Sequence, residues 1–116
     1  MRGVSEQGRG IVGKPLDEIE TPALLVDVAK LDVNSEALAR FLARRAPGVR
    51  LRPYAKTHKC AEVARRQVAA GAVGVCCQTI GEAEAMAEGG SADILVTNEI
   101  ADRAKARASG WLGQRL

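Results

Sequence analysis

Residues 50–60, Arg-Leu-Arg-Pro-Tyr-Ala-Lys-Thr-His-Lys-Cys, gather more groups able to do chemistry than any other stretch of this 116-residue chain. Lys56 is their centre. An amine just past the carboxyl end of a buried parallel strand sits where α/β folds collect their ligands. Desolvation at such a place favours the neutral amine, a nucleophile toward carbonyls and the starting point of Schiff-base chemistry. On an ordinary loop the same residue is only a solvated charge, so its position relative to a strand decides between the two. His58 is the single histidine, which excludes a multi-histidine metal site within the chain. It reads either as a general acid or base or as a capping or surface residue. Gln78 and the pair Thr97 and Asn98 follow later apolar runs and would add an amide and a hydroxyl to one rim. Glu82, Glu84 and Glu88 read as solvent-facing charge on a helix.

The elements that must position these groups follow from periodicity. Residues 23–27, Ala-Leu-Leu-Val-Asp, form a short apolar run after Thr21-Pro22 and fit a strand buried on both faces. From Lys30 the apolar positions Leu31, Leu38, Phe41 and Leu42 recur at helical spacing. Asn34 and Ser35 offer an N-cap, Arg40, Arg44 and Arg45 load the C-terminal end, and Pro47-Gly48 stops the helix. Residues 49–55 make a second extended run. Pro53 lacks an N–H and belongs near its carboxyl end, which puts Lys56 just beyond the strand. An Ala-rich helix over 60–70 ends at Gly71. A third strand covers 73–77, and Thr79 with Glu82 matches a capping box that opens a helix closed by Gly89-Gly90. A fourth strand covers 93–97, and Asn98 is placed to cap a last helix over about 101–108.

Four βα units in series is the result, with crossovers long enough for right-handed parallel connections. A complete (β/α)8 barrel takes about 250 residues, so the fold class is α/β, a partial TIM-type barrel of about four βα units. Residues 1–20, rich in glycine, read as a flexible lead-in, 21–108 as the partial barrel, and 109–116 as a tail whose Trp111 docks on a helix or stays exposed. No Gly-x-Gly-x-x-Gly follows the first strand, which leaves a dinucleotide site without support.

Composition bounds the rest. Hydrophobic residues make up 47% and aromatics 3%, so Ala, Val and Leu fill the core. The net charge of +3 arises from 17 basic and 14 acidic residues that interleave along the chain. Nucleic-acid binding, which needs a clustered basic face, is not expected. Three cysteines, two of them adjacent, make no disulfide framework and no zinc spacing; they read as small buried hydrophobes in a reducing compartment. No apolar run marks a signal peptide or a membrane span, so the expectation is a cytoplasmic protein without membrane contact.

The runs 21–27 (Thr-Pro-Ala-Leu-Leu-Val-Asp), 50–59, 71–78 (Gly-Ala-Val-Gly-Val-Cys-Cys-Gln), 82–85 (Glu-Ala-Glu-Ala) and 93–98 (Asp-Ile-Leu-Val-Thr-Asn) occur in this order. Together they resemble the start of the D-threonine aldolases and D-serine dehydratases, fold type III pyridoxal-phosphate enzymes with an alanine-racemase-like N-terminal domain. The Pro-x-x-Lys-Thr-His-Lys run carries most of the likeness. The resemblance implies that Lys56 holds pyridoxal 5'-phosphate as an internal aldimine and that Gln78 lies near the cofactor. It implies a lyase acting on small D-amino acids, by aldol cleavage of D-threonine or another β-hydroxy-D-amino acid or by dehydration of D-serine. Tyr54 stands where the family usually has His, which keeps a ring and a polar tip but not an imidazole.

The resemblance further implies that a divalent metal, the phosphate-binding groups and the opposing acid or base belong to later parts of the family's sequence. No metal ligand set is expected in this chain, which is read as truncated with doubtful activity alone. Two alternatives stay open: a non-catalytic pyridoxal-phosphate-binding protein, and a structural fragment that associates with itself or with a complementing longer chain.

Overall fold

A computed structural model describes residues 10–113. Its centre is one parallel βαβ unit: β1 (Val75–Cys77), α3 (Ile80–Glu88) and β2 (Ile94–Val96), preceded by α1 (Val28–Arg45) and α2 (Ala61–Ala69) and followed by α4 (Arg103–Gly113). The strands pair Val75 with Ile94, Cys76 with Leu95 and Cys77 with Val96. Residues 51–55 run parallel along the other side of β1. The Ala55 N–H donates to the Cys76 carbonyl at 2.8 Å, and the Cys76 N–H donates to the Pro53 carbonyl at 2.8 Å. Only an isolated bridge, Tyr54 to Cys76, forms there. The expected second strand is thus reduced to a bridge, because Pro53 has no N–H for the preceding rung.

The core is built from what these elements turn inward. All three residues of β1 are buried, as a strand with neighbours on both sides requires. Helix α3 presents Ile80, Ala83 and Met86, spaced by one turn, and α2 presents Ala64. With Ala55 they form a single cluster. Small residues set the spacing: a Cβ on Gly74 would run into the Asp93 carbonyl and the Arg52 guanidinium. Arg52 holds Asp93 through two parallel hydrogen bonds of 2.9 Å, tying the 51–55 segment to the start of β2 beneath β1.

The N-terminal third departs from expectation. Residues 23–27 carry the composition of a buried strand, yet they pair with nothing among the described residues, and Leu24 is 89% exposed. Helix α1 begins at Val28 because Asp27 caps it, accepting from the Lys30 N–H at 3.0 Å; Asn34 and Ser35, expected as caps, lie inside it. No residue of α1 is buried. It touches α2 through the Arg66–Asp32 ion pair at 2.9 Å. The last helix, α4, starts later than expected, since Asp102 rather than Asn98 accepts from the Ala104 N–H at 2.7 Å. The Trp111 side chain lies outside the described residues, as do residues 1–9 of the expected 1–20 lead-in; the rest of it includes a single 3-10 turn at Leu16–Glu18. The radius of gyration, 16.5 Å, exceeds the roughly 13 Å of a compact domain of this length.

Candidate active site

The three parallel segments end side by side, and the singled-out residues sit on the loops that leave them. Lys56 lies on a single turn over 55–58, closed by a hydrogen bond of 2.7 Å from the Lys59 N–H to the Ala55 carbonyl. Its side chain is exposed, and its amine stands 4.6 Å from the centroid of the Tyr54 ring, within range for attraction between a cation and an aromatic face. The Tyr54 hydroxyl hydrogen-bonds the Thr97 hydroxyl, and Thr97 Oγ1 lies 3.3 Å from Cys76 Sγ. Tyr54 thus links the lysine to Thr97, which lies just past β2 and also meets Cys76 of β1.

Gln78 sits on the adjacent loop. Its N–H donates to Glu82 Oε2 at 2.8 Å, and the residue borders an open groove of about 690 Å³ between α3 and α4 that Asn98, Glu84 and Lys105 also line. Lys56 is not among the residues lining that groove. The two candidate residues thus lie on neighbouring loops, with Lys56 in the Tyr54–Thr97 cluster and Gln78 on the groove. Asn98 is turned to its own chain, accepting from the Glu99 N–H at 2.9 Å.

His58 points inward. Its Nδ1 accepts from the Cys60 N–H at 3.1 Å at the start of α2, and its Nε2 is buried without a partner among the described residues. The bond meets the residue before the helix rather than a first-turn N–H, and α2 has no side-chain cap. Glu82 was expected to face solvent, but its side chain is 13% exposed and ion-paired with Lys59. The Lys59 ammonium, and after it the Gln78 N–H, hold its carboxyl below the ordinary glutamate value. Glu82 is the residue sequence reasoning missed. The Thr79–Glu82 capping box announced a helix start, but no basic residue lies near Glu82 in sequence to point to its partner. Cys76 and Cys77 are buried and free. Burial pushes the Cys77 thiol up to about 11, which makes it a packing residue rather than a nucleophile. No group of three or more His, Cys, Asp or Glu suited to a metal ion occurs among the described residues, and no described helix is long and apolar enough to cross a membrane.

Beyond the lysine-bearing turn at the carboxyl ends of parallel segments, the class comes from likeness: the chain is similar to the N-terminal part of D-threonine aldolase-like proteins. No family model matches it. The D-threonine aldolase of Arthrobacter sp is 39% identical over 114 residues, which is 98% of this chain and 30% of that relative. The crystal structure of D-threonine aldolase from Filomicrobium marinum superposes with a TM-score of 0.80 at 43% identity, covering 86% of this chain and 27% of that one. The D-threo-3-hydroxyaspartate dehydratase from Delftia sp. HT23 gives a TM-score of 0.74 at 34% identity, over 84% of this chain and 25% of its own. The chain thus spans less than a third of the length of the relatives it matches.

Proposed function

We propose that this chain supplies the lysine-bearing part of a pyridoxal-phosphate-dependent lyase that acts on β-hydroxy-D-amino acids. Its parallel segments would be units of a (β/α)8 barrel over residues 21–108, preceded by a lead-in over 1–20 and followed by residues 109–116, of which 109–113 continue α4. The observation that carries the reading is Lys56 itself. It lies within the stretch shared with the aldolases and the dehydratase, on a turn at the carboxyl end of a parallel segment, its amine in contact with an aromatic face and in no ion pair among the described residues.

The residues present fit the cofactor. Lys56 offers an accessible amine to the aldehyde, and the Tyr54 ring, anchored through its hydroxyl to Thr97, gives that amine an apolar floor. Gln78 stands on the next loop as an amide able to hydrogen-bond a polar group of the cofactor. When bound, pyridoxal phosphate supplies an electron sink for bonds broken at the α-carbon of an amino acid. Tyr54 keeps water from one side of the amine, and Thr97 fixes the ring that does so. Aldol cleavage and dehydration differ in which bond breaks, and both activities are named among the relatives.

Adding pyridoxal phosphate to the chain should produce a visible absorption band, and borohydride reduction should fix the mass of the cofactor on the peptide that carries Lys56. Lys56→Ala should abolish both. A folded sample with no band, or with label only on other lysines, would overturn the cofactor reading. A second reading, association with another copy or with a longer relative, is favoured by exposed Leu24, Leu25 and Val26. Sedimentation of a strictly monomeric chain counts against it.

A further inference from the structure

The turn that carries Lys56 is held differently at its two ends. Ala55 is 1% exposed, and its N–H is bonded to β1, so the start of the turn belongs to the core. The end is Lys59, whose φ of 48° lies in the left-handed region that non-glycine residues seldom adopt. Beyond the turn's own closing hydrogen bond, its contact is the ion pair to Glu82 Oε1. The other carboxylate oxygen, Oε2, accepts from the Gln78 N–H at 2.8 Å. One half-buried carboxylate therefore spans the loop of Lys56 and the loop of Gln78.

We propose that Glu82 is a positioning residue that locks these two loops in one mutual arrangement and so sets where the turn presents the Lys56 amine. This rests on Lys56 being the cofactor lysine. The competing explanation is that Glu82 merely caps α3, where Thr79 accepts from the Glu82 N–H at 3.2 Å. The two differ in what a glutamine does. In a capping box glutamine serves as well as glutamate, but it cannot pair with the Lys59 charge.

The test uses amide hydrogen exchange on the 116-residue chain without cofactor. In Glu82→Gln, exchange of the Lys59 amide should rise about threefold to fivefold, the range a single partly exposed ion pair supports, while amides over 83–88 keep their protection. Lys59→Met should act alike, and the charge-reversed pair Lys59→Glu with Glu82→Lys should restore slow exchange at position 59 despite its poorer cap. Unchanged exchange at Lys59 in both single variants, or loosening of α3 in step with it, overturns the proposal. With pyridoxal phosphate present, borohydride-trapped incorporation at Lys56 should slow several-fold in Glu82→Gln. Equal incorporation in wild type and variant overturns the positioning of Lys56. Absence of incorporation in the wild type overturns the cofactor reading, and the exchange data then still decide whether the carboxylate links the loops.

Discussion

Residues 72–96 and residues 21–49 are of similar length and similar apolar content, yet one packs and the other does not. In the first, β1, α3 and β2 close a unit in which each element finds its partner within about twenty residues, and Val75, Cys77, Ile80, Ala83 and Met86 are all buried. In the second, α1 is capped at Asp27 and ends with Arg44 and Arg45 against its dipole, but Leu24, Val33 and Phe41 remain exposed. Local signals suffice to form a helix. They do not supply a surface for it to lie on, and tertiary burial rather than propensity gives most helices their stability.

The sharpest way to break this comparison is to delete matched apolar side chains from the two regions. Met86→Ala removes a side chain only 2% exposed and should destabilise by about 2–5 kcal/mol in urea unfolding. Leu24→Ser should stay within about 0.5 kcal/mol and should lower self-association in sedimentation. Equal losses would mean that the N-terminal segment is buried in solution. Thr79→Ala should cost about 1 kcal/mol and open amide exchange in α3, whereas Asp27→Ala should loosen α1 while leaving the βαβ unit's unfolding midpoint in place.

Acid should produce the smallest separation. Asp93 is held below its ordinary 3.8 by the Arg52 side chain, and Glu82 below its ordinary 4.5 by Lys59. A carboxyl with a depressed folded value stabilises in full above its ordinary value and loses that contribution as pH falls through the folded value. The urea midpoint of the 72–96 unit should therefore hold down to about pH 4.5 and decline below it. Asp93→Asn and Glu82→Gln should each make that decline shallower. A midpoint that falls equally in wild type and both variants would show that neither pair contributes.

What the sequence disclosed divides along the same line. The helices over 60–70 and 80–88, the Thr79 cap and the parallel strands near 73 and 93 were legible because each rests on neighbours in sequence. The placement of Lys56 past the 49–55 segment was legible too, since Pro53 marks where the ladder must fail. The first strand was not. Ala-Leu-Leu-Val states a need for burial but carries no information on which backbone will meet it. The start of α1 was misjudged because Asn34 and Ser35 are good caps in type, while Asp27, directly after an apolar run and seven residues before Asn34, captured the free Lys30 N–H. Glu82 escaped notice because its partner, Lys59, is 23 residues away and on another loop.

The Arg52–Asp93 pair lies at the opposite end of the parallel segments from Lys56, and it joins the two outer segments across the middle one. With that end fastened, the spacing of all three is set before any loop is considered. The rim above can then exchange one side chain for another without the strands parting. A scaffold fastened at its base leaves its chemistry open to revision.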